Sequence, residues 1–387
     1  MLLRSRVMLR WREKLWGRVY ILSVLLLLPL NLIAMLFLWR RYEDRSVIHI
    51  GERRHIQARF VNILRDYGTK ATYLAVGRDD PSIECDIYLS HISSPLIAAC
   101  RDSFALWQHV SSHEVIHCHG MMGITHYQWE LILLKIMGRK IIAHFRGCEG
   151  RERQLNIKVF PDTNICEKCD YAPDHLCNAH ENRRRRWFAR KYANKILVTT
   201  PDLRSLWPKA IHVPFFLPDF QEIEFSKRPH TTYIDRPFHL VHVTNQPGIE
   251  GTEEIVAIVE ALNMDGYNIV FRHVYGEAHK QIREALIRAD CSIGKMKMGY
   301  YANAQIESMI LGVPAITWVR DEFMTHDLKE SGFVFSSLGN LKETLIRVIE
   351  TPGFLEEKYK ISKSSIYNLH QHDLIYQTIC DAYSWRS

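Results

Sequence analysis

The sequence predicts an α/β protein in which two parallel-sheet domains follow an N-terminal membrane anchor. Residues 19–39 form an uncharged apolar run, and from residue 46 onward short apolar segments alternate with amphipathic segments. Such alternation is typical of βαβ units around a parallel sheet. A chain of 387 residues, with 47% hydrophobic and 24% charged residues, is long enough for two globular domains.

The apolar run "VYILSVLLLLPLNLIAMLFLW" predicts a single N-terminal membrane anchor within residues 1–45. It is long enough to cross a hydrocarbon core of about 30 Å, and it lacks a small-residue cleavage site, which favours a retained anchor over a signal peptide. A buried core helix is the alternative. Aromatic residues flank the run, as they do at membrane interfaces: Trp16, Tyr20, Trp39 and Tyr42.

The charges beside this run leave its orientation open. Six Lys and Arg residues precede it, and as many follow it as far as Arg59, so the positive-inside rule favours neither side. Pro29 near its centre also permits a kinked or re-entrant helix with both ends on one side.

Residues 46–215 are predicted to form the first domain. Its strands are expected at "SVIHIG", "KATYLAV", "ECDIYLSHI", "EVIHCHG", "KIIAHFRG" and "ANKILVTT". Ligands bind beyond the carboxyl ends of such strands. Polar residues and glycines lie at those predicted ends: Gly51, His117, His119, Gly120, Arg146 and Gly147.

A proline-rich linker, residues 216–236, is expected to separate this domain from a second one, residues 237–387. The stretch "GYYANAQIESMILGVPAITW", residues 299–318, predicts a short helix, a glycine stop and a buried strand. Glu307 lies among apolar residues of that helix, where a carboxylate needs hydrogen-bond donors.

The net charge of +7 is modest and comes largely from the first 18 residues, with a second cluster at Arg183 to Arg186. This distribution suits anionic lipid head groups or phosphate-bearing substrates. The sequence contains neither a zinc-finger pattern with a recognition helix nor an RNA-binding aromatic motif, so nucleic acid is not an expected partner.

The segment "IRADCSIGKMKMGYYANAQIESMILGVPAI" resembles the donor-domain signature of retaining, nucleotide-sugar-dependent glycosyltransferases of the GT-B fold, the glycosyl transferases group 1 type. The strings "VIHCHG", "HFRGCEGR" and "VTTPDL" are similar to strings of the first domain of that family. The resemblance covers residues 46–387 and implies two Rossmann-like domains that face each other across a cleft. It also implies that a final helix, from "IYNLHQHDLIYQTICDAYSWR", packs back on the first domain.

The resemblance implies that Glu307 accepts hydrogen bonds from the ribose hydroxyls of the donor. Pairing with an internal Arg or Lys is the alternative. The loop before the helix is expected to approach the sugar and phosphates. The predicted donor-binding residues are Glu307, Lys295, Lys297, Tyr301, Asn303, Asn245 and Gly51.

Two positions depart from the family pattern. Gly299 stands where many relatives have a second glutamate, and Glu250 stands where a Lys would contact the diphosphate. Lys295 and Lys297, with Arg272, are the candidates to supply the missing positive charge, although each could equally be a solvated surface cation.

His119 and Arg146 are the catalytic candidates, and a satisfied core histidine is the alternative for His119 and for His117. Asp79 and Asp80 are adjacent rather than spaced as a DxD motif, so no obligatory catalytic metal is expected.

The predicted reaction moves a sugar from a UDP- or GDP-sugar to a glycan or lipid-linked acceptor at a membrane. The cytosolic face is favoured because nucleotide sugars are made there, and a type II lumenal arrangement is the alternative. The two departures keep a second function open, that of a non-catalytic, glycosyltransferase-like scaffold subunit of a membrane assembly.

The string "CEKCDYAPDHLC" has the spacing of a structural zinc site. Its candidate ligands are Cys166, Cys169 and Cys177, with Cys148 as the fourth and His175 or His180 as alternatives. Idle thiols are the other interpretation in the cytosol, and disulfides become the better one in an oxidising compartment.

Overall fold

The computed structural model describes residues 2–39, 41–77, 80–172, 175–217 and 236–385, with side chains from residue 14 onward. In these ranges the chain forms two separate parallel sheets with helices around them. The predicted linker, residues 216–236, lies almost entirely outside the described residues.

The first sheet has seven parallel strands in the order β3-β2-β1-β4-β5-β6-β7. Apolar runs form its central strands, which are buried on both faces as parallel strands generally are. The strand order reverses between β1 and β4, and ligands of such sheets bind at this point. The strands are β1 Glu43–Gly51, β2 Lys70–Val76, β3 Ile87–Leu89, β4 His113–His119, β5 Lys140–Phe145, β6 Lys195–Val198 and β7 Ile211–His212.

The second sheet has five parallel strands in the order β12-β11-β10-β8-β9. Its reversal point lies between β8 and β10, so the loops after these two strands flank its ligand-binding edge. The strands are β8 Phe238–Val243, β9 Ile269–Val274, β10 Cys291–Ile293, β11 Ala315–Thr317 and β12 Val334–Phe335.

Helices connect these strands as right-handed crossovers require. Those of the first half are α1 Leu2–Leu38, α2 His55–Asp66, α3 Pro95–Ala105, α4 Glu130–Ile136, α5 Arg153–Val159 and α6 His180–Tyr192. A π-helical turn, Leu106–Val110, continues α3. The second half contains α7 Pro247–Glu250, α8 Thr252–Met264, α9 His279–Arg288, α10 Asn303–Ile310, α11 His326–Lys329, α12 Leu341–Glu350, α13 Phe354–Leu369 and α14 His372–Ala382.

The C-terminal stretch, predicted as one helix, is two helices with a break at His370 and Gln371. The His370 ring stabilises this break, because its two nitrogens form hydrogen bonds with Phe215 O at 2.7 Å and with Tyr301 Oη at 3.0 Å. Beyond the break, α14 packs on the first sheet, where Ile375 and Ile379 join the core around β1 and β2.

The predicted anchor is the apolar part of α1, a continuous helix that includes Pro29. Lys14–Leu38 is long and apolar enough to cross a membrane, and 17% of its most apolar 18-residue stretch is buried. One face of α1 contacts the first domain: Tyr20 Oη donates to the Asp102 carboxylate, and the Asn31 amide bonds Ser103 Oγ at 3.2 Å. The opposite face exposes leucines.

Candidate functional site

The carboxyl ends of β1, β4 and β5 form the centre of the first domain's ligand-binding edge. Gly51 ends β1, and a side chain there would meet His119 Cβ at 3.1 Å. Gly120 follows β4 with φ +60°, a conformation that favours glycine. The predicted residues of these three strand ends are therefore neighbours, because adjacent parallel strands end at one edge.

A chain of hydrogen bonds connects four buried histidines behind this edge. His144 Nε2 bonds Thr199 Oγ1 at 2.9 Å, and His144 Nδ1 bonds His117 Nε2 at 3.1 Å. His117 Nδ1 bonds the phenol oxygen of Tyr383, at 2.6 Å. The phenol lies 3.5 Å from His49 Nε2, and His49 in turn bonds His119.

His119, the predicted catalytic histidine, ends this chain. Its Nε2 lies 3.2 Å from His49 Nδ1, and its Nδ1 is buried without a hydrogen-bond partner among the described residues. Its side chain is 1% exposed. His119 is therefore enclosed beneath the strand ends rather than lining an open surface.

Burial keeps these imidazoles neutral. It lowers the pKa of His49 to about 3, and it lowers the pKa of His117, His119 and His144 well below the usual value, with Arg146 adding to each effect. Ring nitrogens of His49, His117 and His119 lie within 4.8 Å of one another, a spacing that a metal ion could use. The hydrogen-bond chain satisfies most of these nitrogens without an ion.

Arg146, the second catalytic candidate, follows β5. With the Gln57 amide oriented to satisfy both of its neighbours, Arg146 Nη2 donates to Gln57 at 2.7 Å. Burial lowers the pKa of Arg146 to about 10, and Glu149 opposes this effect. The guanidinium thus stays positively charged at neutral pH next to the strand ends.

Sequence reasoning missed Glu149, which lies between the ends of β4 and β5. Its Oε1 accepts from the backbone N–H of Arg146 at 2.6 Å and of Gly147 at 3.0 Å. Its Cγ lies 3.2 Å from where a side chain on Gly120 would be. The string "RGCEGR" contained the signal, a carboxylate three residues after a strand-end arginine.

Glu307 lies on α10, where the two domains face each other. Its side chain is 16% exposed, and its Oε2 lies 3.2 Å from Nε2 of His279, whose side chain is 60% exposed. Burial raises the pKa of Glu307, and His279, Arg283 and Arg59 oppose that rise. Arg59 belongs to α2 of the first domain, so cations from both domains surround this carboxylate.

The two lysines predicted to hold the diphosphate are paired with carboxylates. Lys295 forms an ion pair with Glu250, and Lys297 Nζ lies 2.7 Å from Glu254 Oε1. Glu250 is buried, so Lys295 neutralises the carboxylate that stands where relatives have a cation. Arg272 is likewise paired, with Glu277 at 2.9 Å.

The other predicted donor residues lie in different environments. Tyr301 is 1% exposed, so its backbone rather than its ring could approach a ligand. Asn303 begins α10 and is exposed, and Asn245 is exposed just after β8. Asn245 follows β8, whereas Tyr301 and Asn303 follow β10, so the three come from the two loops that flank the reversal point of the second sheet.

The cysteine-containing loop connects the two domains, which the sequence did not indicate. Asp170 accepts from the backbone N–H of Gly248 at 3.0 Å and of Ile249 at 3.1 Å, in the loop after β8. Lys168 Nζ lies 3.0 Å from Glu253. An anion from the first domain therefore occupies the two N–H groups just before Glu250, the position at which the resemblance implies a cation for the diphosphate.

The thiols of this loop are free. Burial raises the pKa of Cys166 to about 12; Arg151 opposes the rise, and the nearby thiols of Cys148, Cys177 and Cys169 add to it. Among the described residues, the three histidines named above form the group with metal-ligand spacing, and the four cysteines do not. Zinc binding by the cysteines stays a prediction.

Comparison with known proteins identifies the fold. No protein family model matches the sequence, and no curated protein matches it. Solved structures do match over 88% of the chain. The HepE protein of Anabaena in complex with UDP-glucose has a TM-score of 0.54, 12% identity and 99% of its own chain covered. Sucrose-phosphate synthase from Thermosynechococcus elongatus has a TM-score of 0.54, 12% identity and 98% coverage of its own chain.

The catalytic domain of starch synthase IV from Arabidopsis thaliana, bound to ADP and acarbose, matches with a TM-score of 0.52. It is 11% identical, and the match covers 88% of this chain and 100% of that one. These likenesses span both sheets and confirm the predicted two-domain GT-B fold.

The neutral histidines predict a pH-dependent stability. Because their pKa values are lower in the folded chain than in the unfolded one, they stabilise the fold above about pH 6.5, and this contribution is lost as pH falls towards 3. The free energy of unfolding, measured by urea titration, should fall as the pH falls below 6.5.

His144→Gln should reduce the slope of this free energy against pH by up to about 1.4 kcal/mol per pH unit. His326→Gln, at an exposed position, should leave the slope unchanged; equal slopes in all three proteins would contradict the prediction.

If the loop cysteines bind zinc, the purified chain should contain about one metal ion and lose thermal stability on chelation. Metal analysis of Cys166→Ser and Cys169→Ser should show the metal lost, whereas Cys100→Ser, at an exposed site on α3, should retain it. Metal-free protein with reactive thiols would contradict the prediction. A disulfide found by mass mapping would instead indicate an oxidising compartment.

Proposed function

We propose that this chain is a glycosyltransferase that moves a sugar from a UDP- or GDP-sugar to a glycan or lipid-linked acceptor at a membrane. Three solved structures that share its fold support the class, since one was determined with UDP-glucose and one with ADP. The observation that supports the proposal most directly is the environment of Glu307.

A carboxylate that binds a ligand and a carboxylate that is paired inside the protein differ in the burial of their partner in the unliganded chain. An internal partner would be a buried cation, whereas the hydrogen-bonded partner of Glu307 is the exposed ring of His279. That ring can move aside at little cost, because its nitrogen is then solvated by water. Glu307 would then accept two neighbouring ribose hydroxyls, and the positive charges of Arg59 and Arg283 would keep it ionised.

In the proposed reaction, the acceptor oxygen bonds to the anomeric carbon while the bond from that carbon to the diphosphate breaks. Delivery from the face of the leaving group retains the anomeric configuration, and the departing phosphate oxygen is then adjacent to the hydroxyl proton and takes it. Arg146 would stabilise the negative charge that develops, and neutral His119 would shape the wall behind it. Lys295 and Lys297 would bind the phosphates only after their ion pairs with Glu250 and Glu254 break.

One observation favours a second function, that of a non-catalytic scaffold subunit. Gly299 lacks the carboxylate that relatives use for the sugar, and the nearby lysines are already paired. Calorimetry with a panel of nucleotide sugars separates the two functions. Micromolar binding of any donor supports the enzyme, and absence of binding across the panel supports the scaffold.

Glu307→Ala should lower donor affinity about a hundredfold or more, because a charged acceptor for two hydroxyls is lost. Glu307→Gln keeps the shape and one acceptor, so it should lose less. Both variants should melt near the wild-type temperature, since the carboxylate's hydrogen-bonded partner is exposed. Nucleotide titration and melting curves measure both effects, with Glu284→Ala on the exposed face of α9 as the matched control. Lost stability with unchanged affinity would contradict the donor role.

We further propose that the exposed face of α1 attaches the chain to the membrane, with the catalytic domains on the cytosolic face. Trp16 Nε1 donates to Ser93 O at 2.7 Å, and Arg139 Nη2 donates to Leu38 O at 3.3 Å. Contacts with the first domain thus extend over about 33 Å of helix. A helix held along the domain in this way favours insertion parallel to the membrane surface over a simple span.

Full-length protein should stay with membranes through an alkaline carbonate wash. Substituting Leu22, Leu26 and Leu36 by Asn should release it, since these side chains are 61%, 77% and 69% exposed and do not support the fold. In the control protein, Asn replaces Met264, Val270 and Leu374, which are exposed elsewhere on the surface. This protein should stay with the membranes. Wild-type protein found in the wash would contradict attachment, and protease protection in cytosol-out vesicles would reverse the sidedness.

A further inference from the structure

A cavity of about 650 Å³ lies at the carboxyl edge of the first sheet, between α1, α3 and α6. Val76 and Gly77 at the end of β2 line it, and Met122 lines it two residues after Gly120. The cavity therefore opens at the same edge as the strand ends that hold Arg146 and Glu149. All of its lining residues belong to α1 or to the first domain, so it is separate from Glu307.

One part of the cavity wall is apolar and the other is cationic. Leu89, Ile92 and Met122 belong to the apolar part. Three arginines belong to the cationic part: Arg101, Arg184 and Arg185. A cavity with both kinds of wall fits a molecule that joins an anionic group to an apolar one.

The arginines exceed the carboxylates that face them. Arg101 is paired with Asp102, and Arg185 with Glu181, and both carboxylates also line the cavity. Arg184 instead donates to two neutral oxygens, those of Gln128 at 3.3 Å and of His126 at 2.8 Å. One positive charge in excess therefore faces the cavity, and it is the charge of Arg184.

Arg184 is also partly desolvated. Burial lowers its pKa, and Glu181 opposes that shift. Its guanidinium lies over the Tyr127 ring, 5.1 Å from the centroid, which fixes the orientation of its donors. A phosphate in the cavity would accept the charge-assisted hydrogen bonds that neutral oxygens cannot match.

The cavity adjoins the apolar surface of α1. Trp16 of α1 forms part of the cavity wall. The helix then continues along α3, whose own Leu96, Ile97 and Phe104 are 51%, 58% and 65% exposed. An apolar chain that leaves the cavity beside Trp16 would therefore meet a continuous apolar surface, the one proposed above to contact the membrane.

We propose that this cavity binds the acceptor, and that the acceptor is a lipid whose headgroup carries a phosphate. The phosphate contacts Arg184, and the acyl or isoprenoid chain follows α1 into the membrane. This inference rests on the proposed glycosyltransferase function, and it names the acceptor class for that same site.

Calorimetry on the full-length protein in detergent tests the inference, with dihexanoyl phosphatidate as the probe. We expect saturable binding to the wild type, weakened about tenfold to a hundredfold in Arg184→Gln through loss of charge-assisted hydrogen bonds. Arg183→Gln is the matched control. It removes the same charge from the same helix, but Arg183 is exposed and does not line the cavity. It should bind like the wild type.

Other outcomes overturn the inference. Inorganic phosphate bound as tightly as phosphatidate would identify a free phosphate site, and dihexanoylglycerol bound as tightly would remove the role of the phosphate. Equal affinity of the two arginine variants would move the binding elsewhere on the chain. UDP-glucose is titrated in parallel: donor binding without phosphatidate binding overturns the acceptor class alone, whereas absence of any donor binding overturns the proposed function itself.

Discussion

The C-terminal chain passes from the second domain back to the first, and the buried phenol of Tyr383 is the group that binds its end there. It bonds His117 at 2.6 Å inside the first sheet, although it belongs to the last turn of the chain beyond α14. The preceding helix α13 packs on α10 of the second domain. Withdrawing the phenol would leave buried ring nitrogens unpaired, at a cost of about 1–3 kcal/mol each. This bond therefore holds the end of the chain, beyond α13 and α14, inside the first domain.

Several charged groups near the loops after β8 and β10 are paired within the protein. Lys295 and Lys297 are held by Glu250 and Glu254, and Asp170 of the first domain caps the backbone N–H groups after β8. Under the proposed function, a diphosphate that enters this region would have to exchange with these carboxylates. Until then the internal contacts avoid leaving desolvated cations unpaired.

The helix α1 has two different faces. Its inner face is polar enough to bond the first domain through Tyr20 and Asn31, and its outer face exposes leucines. Trp16 lies at the end where the helix meets the cavity. One helix therefore presents an exposed apolar surface and part of a cavity wall, and under the two proposals an acceptor would not need to leave the membrane completely.

Local patterns in the sequence determined the strands, most helices and the apolar run of α1, because apolar periodicity and glycine stops act over a few neighbouring residues. That the strand-end residues of the first domain lie close together was also predictable, since parallel strands end at one edge. Only the tertiary structure decided the pairing of Lys295 with Glu250, the reach of Asp170 across the domains and the packing of α1 along α3. The position of Glu149 between two strands belongs to the same class. Each of these depends on contacts between residues from different elements, and no local pattern specifies which distant charge or surface will neutralise a group once it is buried.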